Sequence, residues 1–259
     1  MFRSRRDRLR REALAGDFPE AWRQRLAVRW AAWATLSVNE RERLEDLIRL
    51  FIGGRRWEAA NGFTMTDEVK VVIAAQACLL VLELDLDLYR QVDSIIVHPR
   101  TVMLHGERSV GSGMVADGPH AISGQAHHRR GPLLLSWSTA AFEARHPRSG
   151  SNVVYHEFAH KIDMLDGVVD GTPPISDPAF RARWVEVCTA EYELLRRGHD
   201  SVLRDYAATD PGEFFAVATE QFFTQPVPLH DGNPDLYDVL AGFYRQDPAA
   251  RLTRHVGPA

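Results

Sequence analysis

Two histidines and a glutamate stand close together in the run His156-Glu157-Phe158-Ala159-His160. On a helix, residues four apart share one face and sit one turn apart, so both imidazoles can grip a single zinc ion at about 2.0–2.1 Å. Glu157 follows the first histidine and projects to the adjoining side. From there it can take a proton from a metal-activated water without occupying the metal. This is the arrangement for metal-assisted hydrolysis, in which the cation lowers the pKa of its water towards about 7. Gly150 and Asn152 precede an apolar lead-in, Val153-Val154-Tyr155, and Gly167 follows the run. Those are start and stop signals for the helix that the chemistry needs.

A catalytic zinc wants a third protein ligand and an open position. The metzincin continuation, a Gly and then a third His, is absent from His160-Lys161-Ile162-Asp163-Met164-Leu165-Asp166-Gly167. Met164 therefore reads as core and not as a Met-turn. The other common source is a Glu on a later helix. Glu213 and Glu220 are seven apart on one helical stretch and so lie on the same face, and spacing leaves them level. Asp163, three residues after His160, is better placed to hydrogen-bond a ligand imidazole and fix its tautomer than to bind metal.

The elements that must position these residues are legible in outline. The first third reads helical. Trp22, Leu26, Val28, Trp30 and Trp33 fall in one stretch and Leu36 to Phe51 in another, which Gly53-Gly54 ends. Thr66 or Asp67 can cap a helix through Val69 to Leu82. The middle changes character. Ser94 to Val97, Thr101 to Leu104 and Leu133 to Trp137 are short candidate strands separated by Gly- and Ser-rich turns. Asp177 to Gly198, Pro211 to Gln225 and Leu236 to Tyr244 read helical again. Helices, a small sheet and more helices predict an α+β fold.

Composition narrows the function classes. The 259 residues include 31 basic and 35 acidic side chains, a formal net charge of −4. Nothing in that balance asks for nucleic acid or a membrane surface, and no apolar run reaches the roughly 18 residues of a membrane span. The segment Met1 to Arg11 is Arg-rich, but a mixed, amphipathic stretch follows it where a secretory signal would be apolar. Cys78 and Cys188 are far apart in apolar surroundings and read as free thiols. The expectation is a cytoplasmic protein.

The residues around the motif, His156 to Gly167, resemble the zinc motif of the Mlc titration factor A family of bacterial cytosolic zinc peptidases. Further resemblance lies in Ile73 to Cys78, in Gly131-Pro132-Leu133-Leu134-Leu135-Ser136-Trp137 and in Tyr206 to Val217, and spans roughly Phe51 to Tyr244. The pattern of Tyr206, then Glu213, then Phe214-Phe215-Ala216 is also similar to the catalytic domain of anthrax lethal factor. The resemblance implies a zincin-like (gluzincin) metallopeptidase domain over 51–259, a small sheet flanked by helices, with 1–50 as an N-terminal helical region packed on it. It implies that Glu213 is the third zinc ligand and that Tyr206 faces the site, where its phenol can donate to an oxyanion. Glu220 then becomes a supporting or packing acid. It further implies aminopeptidase-like action on short peptides and, as an alternative, binding and sequestration of a transcriptional repressor of the Mlc type with the zinc structural or vestigial. In Ser123-Gly124-Gln125-Ala126 the family more often has Glu where this chain has Gln125, so no acidic role attaches there. A structural zinc would be closed by a fourth ligand, for which His127 and His128 are the candidates. A substrate could pair with an exposed strand edge beside the metal helix, for which Gly131 to Trp137 and Ser94 to Val97 are candidates.

Overall fold

A computed structural model describes residues 11–100, 102–109, 115–122, 124–126 and 131–256, with side chains placed for 11–100 and 131–254. Three parallel strands form its sheet: β1 (Arg56–Ala59), β2 (Ser94–His98) and β6 (Leu133–Ser136). A further strand, β5 (Gly124–Ala126), pairs antiparallel with β6, giving the order β1-β2-β6-β5. A separate antiparallel ribbon, β3 (Val102–Ser109) with β4 (Val115–Ile122), lies between β2 and β5 in the chain. The helices are α1 (Glu20–Arg29), α2 (Val38–Gly53), α3 (Asp67–Leu80), α4 (Trp137–Arg145), α5 (Val153–Asp163), α6 (Pro178–Arg196), α7 (Pro211–Thr224), α8 (Pro226–Gly232), α9 (Pro234–Tyr244) and α10 (Pro248–Val256). This is the expected α+β mixture, with helix dominant.

Local chemistry explains most boundaries. Ser37 and Glu40 form a reciprocal capping box at the start of α2. Thr66 caps α3 by accepting from the Val69 N–H, so Asp67 is its first residue. Helix α3 is buried from Val71 to Leu80 without a polar face, because it crosses from β1 to β2 through the middle of the molecule. It packs on α1, α2 and α5.

The core is continuous across the chain. Leu26, Trp30, Leu44, Ile48 and Phe51 join the same buried cluster as Phe158, Phe215 and Phe222. Phe158, on the inner face of the motif helix, meets Phe51 and Tyr89 edge to face, with ring centroids 5.6 and 4.8 Å away. Burial of a side chain of that size stabilises by about 1.5–3 kcal/mol. Met164 is buried, as expected for core.

The sheet corrects two readings. Neither β6 nor β2 is an edge strand, since each pairs on both sides. The edge facing the motif helix is β5, which lies against α5. Its sequence, Gly124-Gln125-Ala126, has no β-branched or aromatic residue, so only pairing to β6 makes it a strand. In the second, Trp137 opens α4 and does not close the strand, because Ser136 accepts from the Thr139 N–H as a helix cap.

Candidate metal centre

Helix α5 starts where Asn152 accepts the Tyr155 N–H at 3.0 Å. The Asn152 amide also donates to buried Gln76 on α3 at 2.8 Å, so the cap is pinned to the central helix. The opposite end runs through a short turn, Met164–Asp166, to Gly167 at φ +98°. Helix α7 begins with Asp210 accepting the Glu213 N–H at 2.9 Å and Pro211 in the first turn. The two helices pack directly on one another.

Gly171 locks the loop that joins these elements. Its φ is +73°, and a Cβ there would fall 2.3 Å from the Pro211 carbonyl oxygen, so only glycine fits. The Gly171 N–H donates to Asp163 Oδ2 at 3.1 Å, and its carbonyl accepts from Trp184 Nε1 at 3.0 Å. One residue therefore ties the end of α5 to the start of α7 and to α6.

The packing brings His156, His160 and Glu213 to one point. His156 Nε2 lies 3.1 Å from His160 Nε2 and 3.0 Å from Glu213 Oε2, and His160 Nε2 lies 3.5 Å from that same oxygen. Ligands at about 2.05 Å on a tetrahedral ion stand about 3.3 Å apart, and the three edges bracket that value. Glu213 Oε2 is buried yet accepts no hydrogen bond, an orphan at the meeting point of two imidazoles. Two imidazoles and a carboxylate are a donor set that zinc takes readily. The residues present fit a zinc ion.

The electrostatics agree with a cation-binding site. Burial pushes the Glu213 carboxyl up, but the adjoining His156 and His160 imidazoles outweigh it and hold the group well below the usual carboxylate range. Burial likewise pushes His156 down, and Glu213 and Glu220 overcome it, raising the imidazole well above its ordinary value.

Glu220 takes a different place from Glu213. It reaches the far side of the same ring, accepting from His156 Nδ1 at 2.8 Å, while its other oxygen accepts the Asn152 N–H at 2.5 Å. A carboxylate behind a ligand imidazole fixes its tautomer and orientation. Asp163 does not do this for His160. His160 Nδ1 and Asp163 Oδ1 are both buried without a hydrogen-bond partner.

Glu157 is buried on α5 beside the first histidine. Tyr206 sits on the turn Asp205–Ala208, half exposed, its ring centroid 6.2 Å from that of His156. Lys161 is buried and donates to the Gly131 carbonyl at 3.2 Å, stitching α5 to the start of β6. Burial lowers that ammonium to about 8, against the charges of Glu157 and Asp93.

Among the described residues, His156, His160 and Glu213 form the one cluster able to hold a metal. His127, His128 and the Gln125 side chain lie outside the described residues. Both cysteines are free, and burial pushes the Cys188 thiol up to about 12. No helix among the described residues is long and apolar enough to cross a membrane.

Sequence reasoning missed two contributors here. Arg204 donates to Glu220, and Glu143 accepts the Val153 N–H at 2.6 Å. Neither carries a local signal, because each acts across a tertiary contact.

The profile of the family described as "Glucose-regulated metallo-peptidase M90" matches residues 2–245. An uncharacterized protein of Synechocystis sp. is 36% identical over 89% of this chain and 85% of its own length. A protein of Edwardsiella ictaluri named Mlc titration factor A is 34% identical, over 85% of each chain. Its namesake in Serratia proteamaculans is 32% identical over 90% of this chain and 89% of its own.

Proposed function

The chain belongs to the glucose-regulated M90 metallopeptidases, and we propose that it is a zinc-dependent peptidase with aminopeptidase-like action on short peptides. The observation that carries this reading is the convergence of His156, His160 and Glu213 around an orphaned buried carboxylate oxygen, with Glu157 next in the chain to the first of them. The fold is then of the zincin (gluzincin) type, with 51–259 as the metallopeptidase domain and 1–50 as a helical region packed on it. The protein works in the cytoplasm.

When bound, zinc supplies Lewis acidity: it acidifies water and polarises the scissile carbonyl. His156, His160 and Glu213 would hold it. Glu157 takes the proton from the attacking water and returns it to the leaving amine nitrogen. Its burial shields the carboxylate from bulk water. The Tyr206 phenol donates a hydrogen bond to the oxyanion of the tetrahedral intermediate. Glu220 keeps the His156 ring turned to the metal. An extended substrate pairs with β5, the edge strand beside α5 among the described residues.

Glu157→Gln preserves shape and removes the base. It should bind one zinc per chain and cleave none of a panel of aminoacyl and blocked-peptide chromogenic substrates that the wild type cleaves. A Gln variant as active as the wild type sinks the assignment.

A second reading rests on the relatives named Mlc titration factor A: this chain binds a transcriptional repressor of the Mlc type, with zinc structural. Repressor binding that survives Glu157→Gln, in a wild type that binds zinc and cleaves nothing, would favour it.

A further inference from the structure

Behind the metal ligands lies a second charged cluster, of which the mechanism above uses Glu220 alone. Glu220 is 1% exposed. Its Oε1 accepts from both His156 Nδ1 and Arg204 Nη2, while its Oε2 takes the Asn152 N–H. Glu143 lies beside it, taking the next N–H of the same helix, from Val153. A buried and a half-buried carboxylate, Glu220 and Glu143, thus face the N-terminus of α5, where the helix dipole contributes only about half a positive charge. Arg204 brings a full guanidinium charge, paired with Glu220 and near enough for its field to reach Glu143.

Arg204 is not itself buried. Its side chain is 43% exposed, so it reaches the buried acid from the surface. It also begins the turn that carries Tyr206, its carbonyl accepting the Ala207 N–H at 2.9 Å. The guanidinium is therefore joined to the metal ligand through Glu220 and to the Tyr206 turn through its own backbone.

We propose that Arg204 is a positioning residue for the metal centre: it anchors Glu220, and through Glu220 it fixes the orientation and tautomer of the His156 ring. This rests on the zinc reading above. A carboxylate held by one backbone N–H and a ring can swing; a third contact on the oxygen that meets the ring removes that freedom. The contact is made through a single guanidinium nitrogen, so a lysine can replace much of it.

The test measures zinc affinity by chelator competition, and the visible spectrum of the cobalt(II)-substituted protein, with no substrate present. The proteins are the wild type, Arg204→Met, Arg204→Lys, Glu220→Gln and the Arg204→Met/Glu220→Gln double variant. Arg204→Met should weaken zinc binding by about 10–100-fold and shift the cobalt bands, as expected when an outer partner of a ligand histidine is lost. Arg204→Lys should recover most of both. The double variant should bind as Glu220→Gln does, because the second change has nothing left to release. If Arg204→Met does not fold, Arg204→Gln carries the same expectations.

Wild-type affinity and spectrum in an uncharged variant would overturn the proposal. So would a lysine variant as weak as the methionine one, or a double variant weakened by the product of the two single effects. A wild type that binds no zinc would overturn the zinc reading along with it; the other outcomes strike the role of Arg204 alone.

Discussion

Asp163 ends the metal helix with a carboxyl that is fully buried, and burial pushes it up to about 7 from an ordinary 3.8. The Gly171 N–H and the nearby His160 work against that, while Asp170 and Asp166 add to it. A carboxyl raised in the folded state contributes stability that is fully present below about pH 4 and is lost as pH rises towards 7. The interval is about three pH units, and at about 1.4 kcal/mol per unit it amounts to roughly 4 kcal/mol. Asp163→Asn keeps the shape and the acceptor for Gly171 and removes the titration. Denaturant unfolding of the metal-free proteins between pH 4 and 8 should show the wild type losing ground to the Asn variant by an amount on the order of 4 kcal/mol. Restoring zinc should narrow the gap, because a nearby divalent cation favours the ionised carboxylate. Wild type and variant stabilities that run parallel from pH 4 to 8 would refute the reasoning.

Three further outcomes follow from the geometry. On the proposed ligand set, Glu213→Ala removes one of three ligand atoms, so zinc should leave at much lower chelator concentration, with the fold retained by circular dichroism. Tyr206→Phe should lower kcat by about 100-fold or more with little change in KM, if its phenol meets charge only in the transition state; a change in KM alone would make it a binding residue. Asn152→Ala removes the cap of α5 and leaves Gln76 short of a partner, so it should cost about 1–2 kcal/mol in thermal or denaturant unfolding.

Local patterns marked the motif helix well, and their limits are physical. Histidines at i and i+4, an Asn cap and a following glycine are all short-range signals, and each has a counterpart in the fold. The strand edge beside the site had none. Gly124-Gln125-Ala126 has the composition of a turn, and its extended form comes from hydrogen bonds to β6. Arg204 and Glu143 escaped for the same reason, since their partners are 16 and 10 residues away and are met only through packing. The relation between Asp163 and His160 was read from spacing as a hydrogen bond. The carboxylate instead spends one oxygen on the Gly171 N–H, because the loop after α5 must close there onto Pro211.

The pair Glu213 and Glu220 shows what a helical period can and cannot decide. Seven residues put two acids on one face about 10 Å apart along the axis. Sequence periodicity therefore said that both could address the same neighbour, and left open which one did. In the fold both address His156, from opposite sides of the ring: Glu213 Oε2 at Nε2 and Glu220 Oε1 at Nδ1. An imidazole has two nitrogens pointing away from each other, so a metal ligand and the carboxylate that orients it must approach from different directions. Two acids two turns apart on a helix packed against α5 meet that requirement with a single histidine between them. The spacing that leaves them level in the sequence is the spacing that puts one at Nε2 and the other at Nδ1 of the same ring.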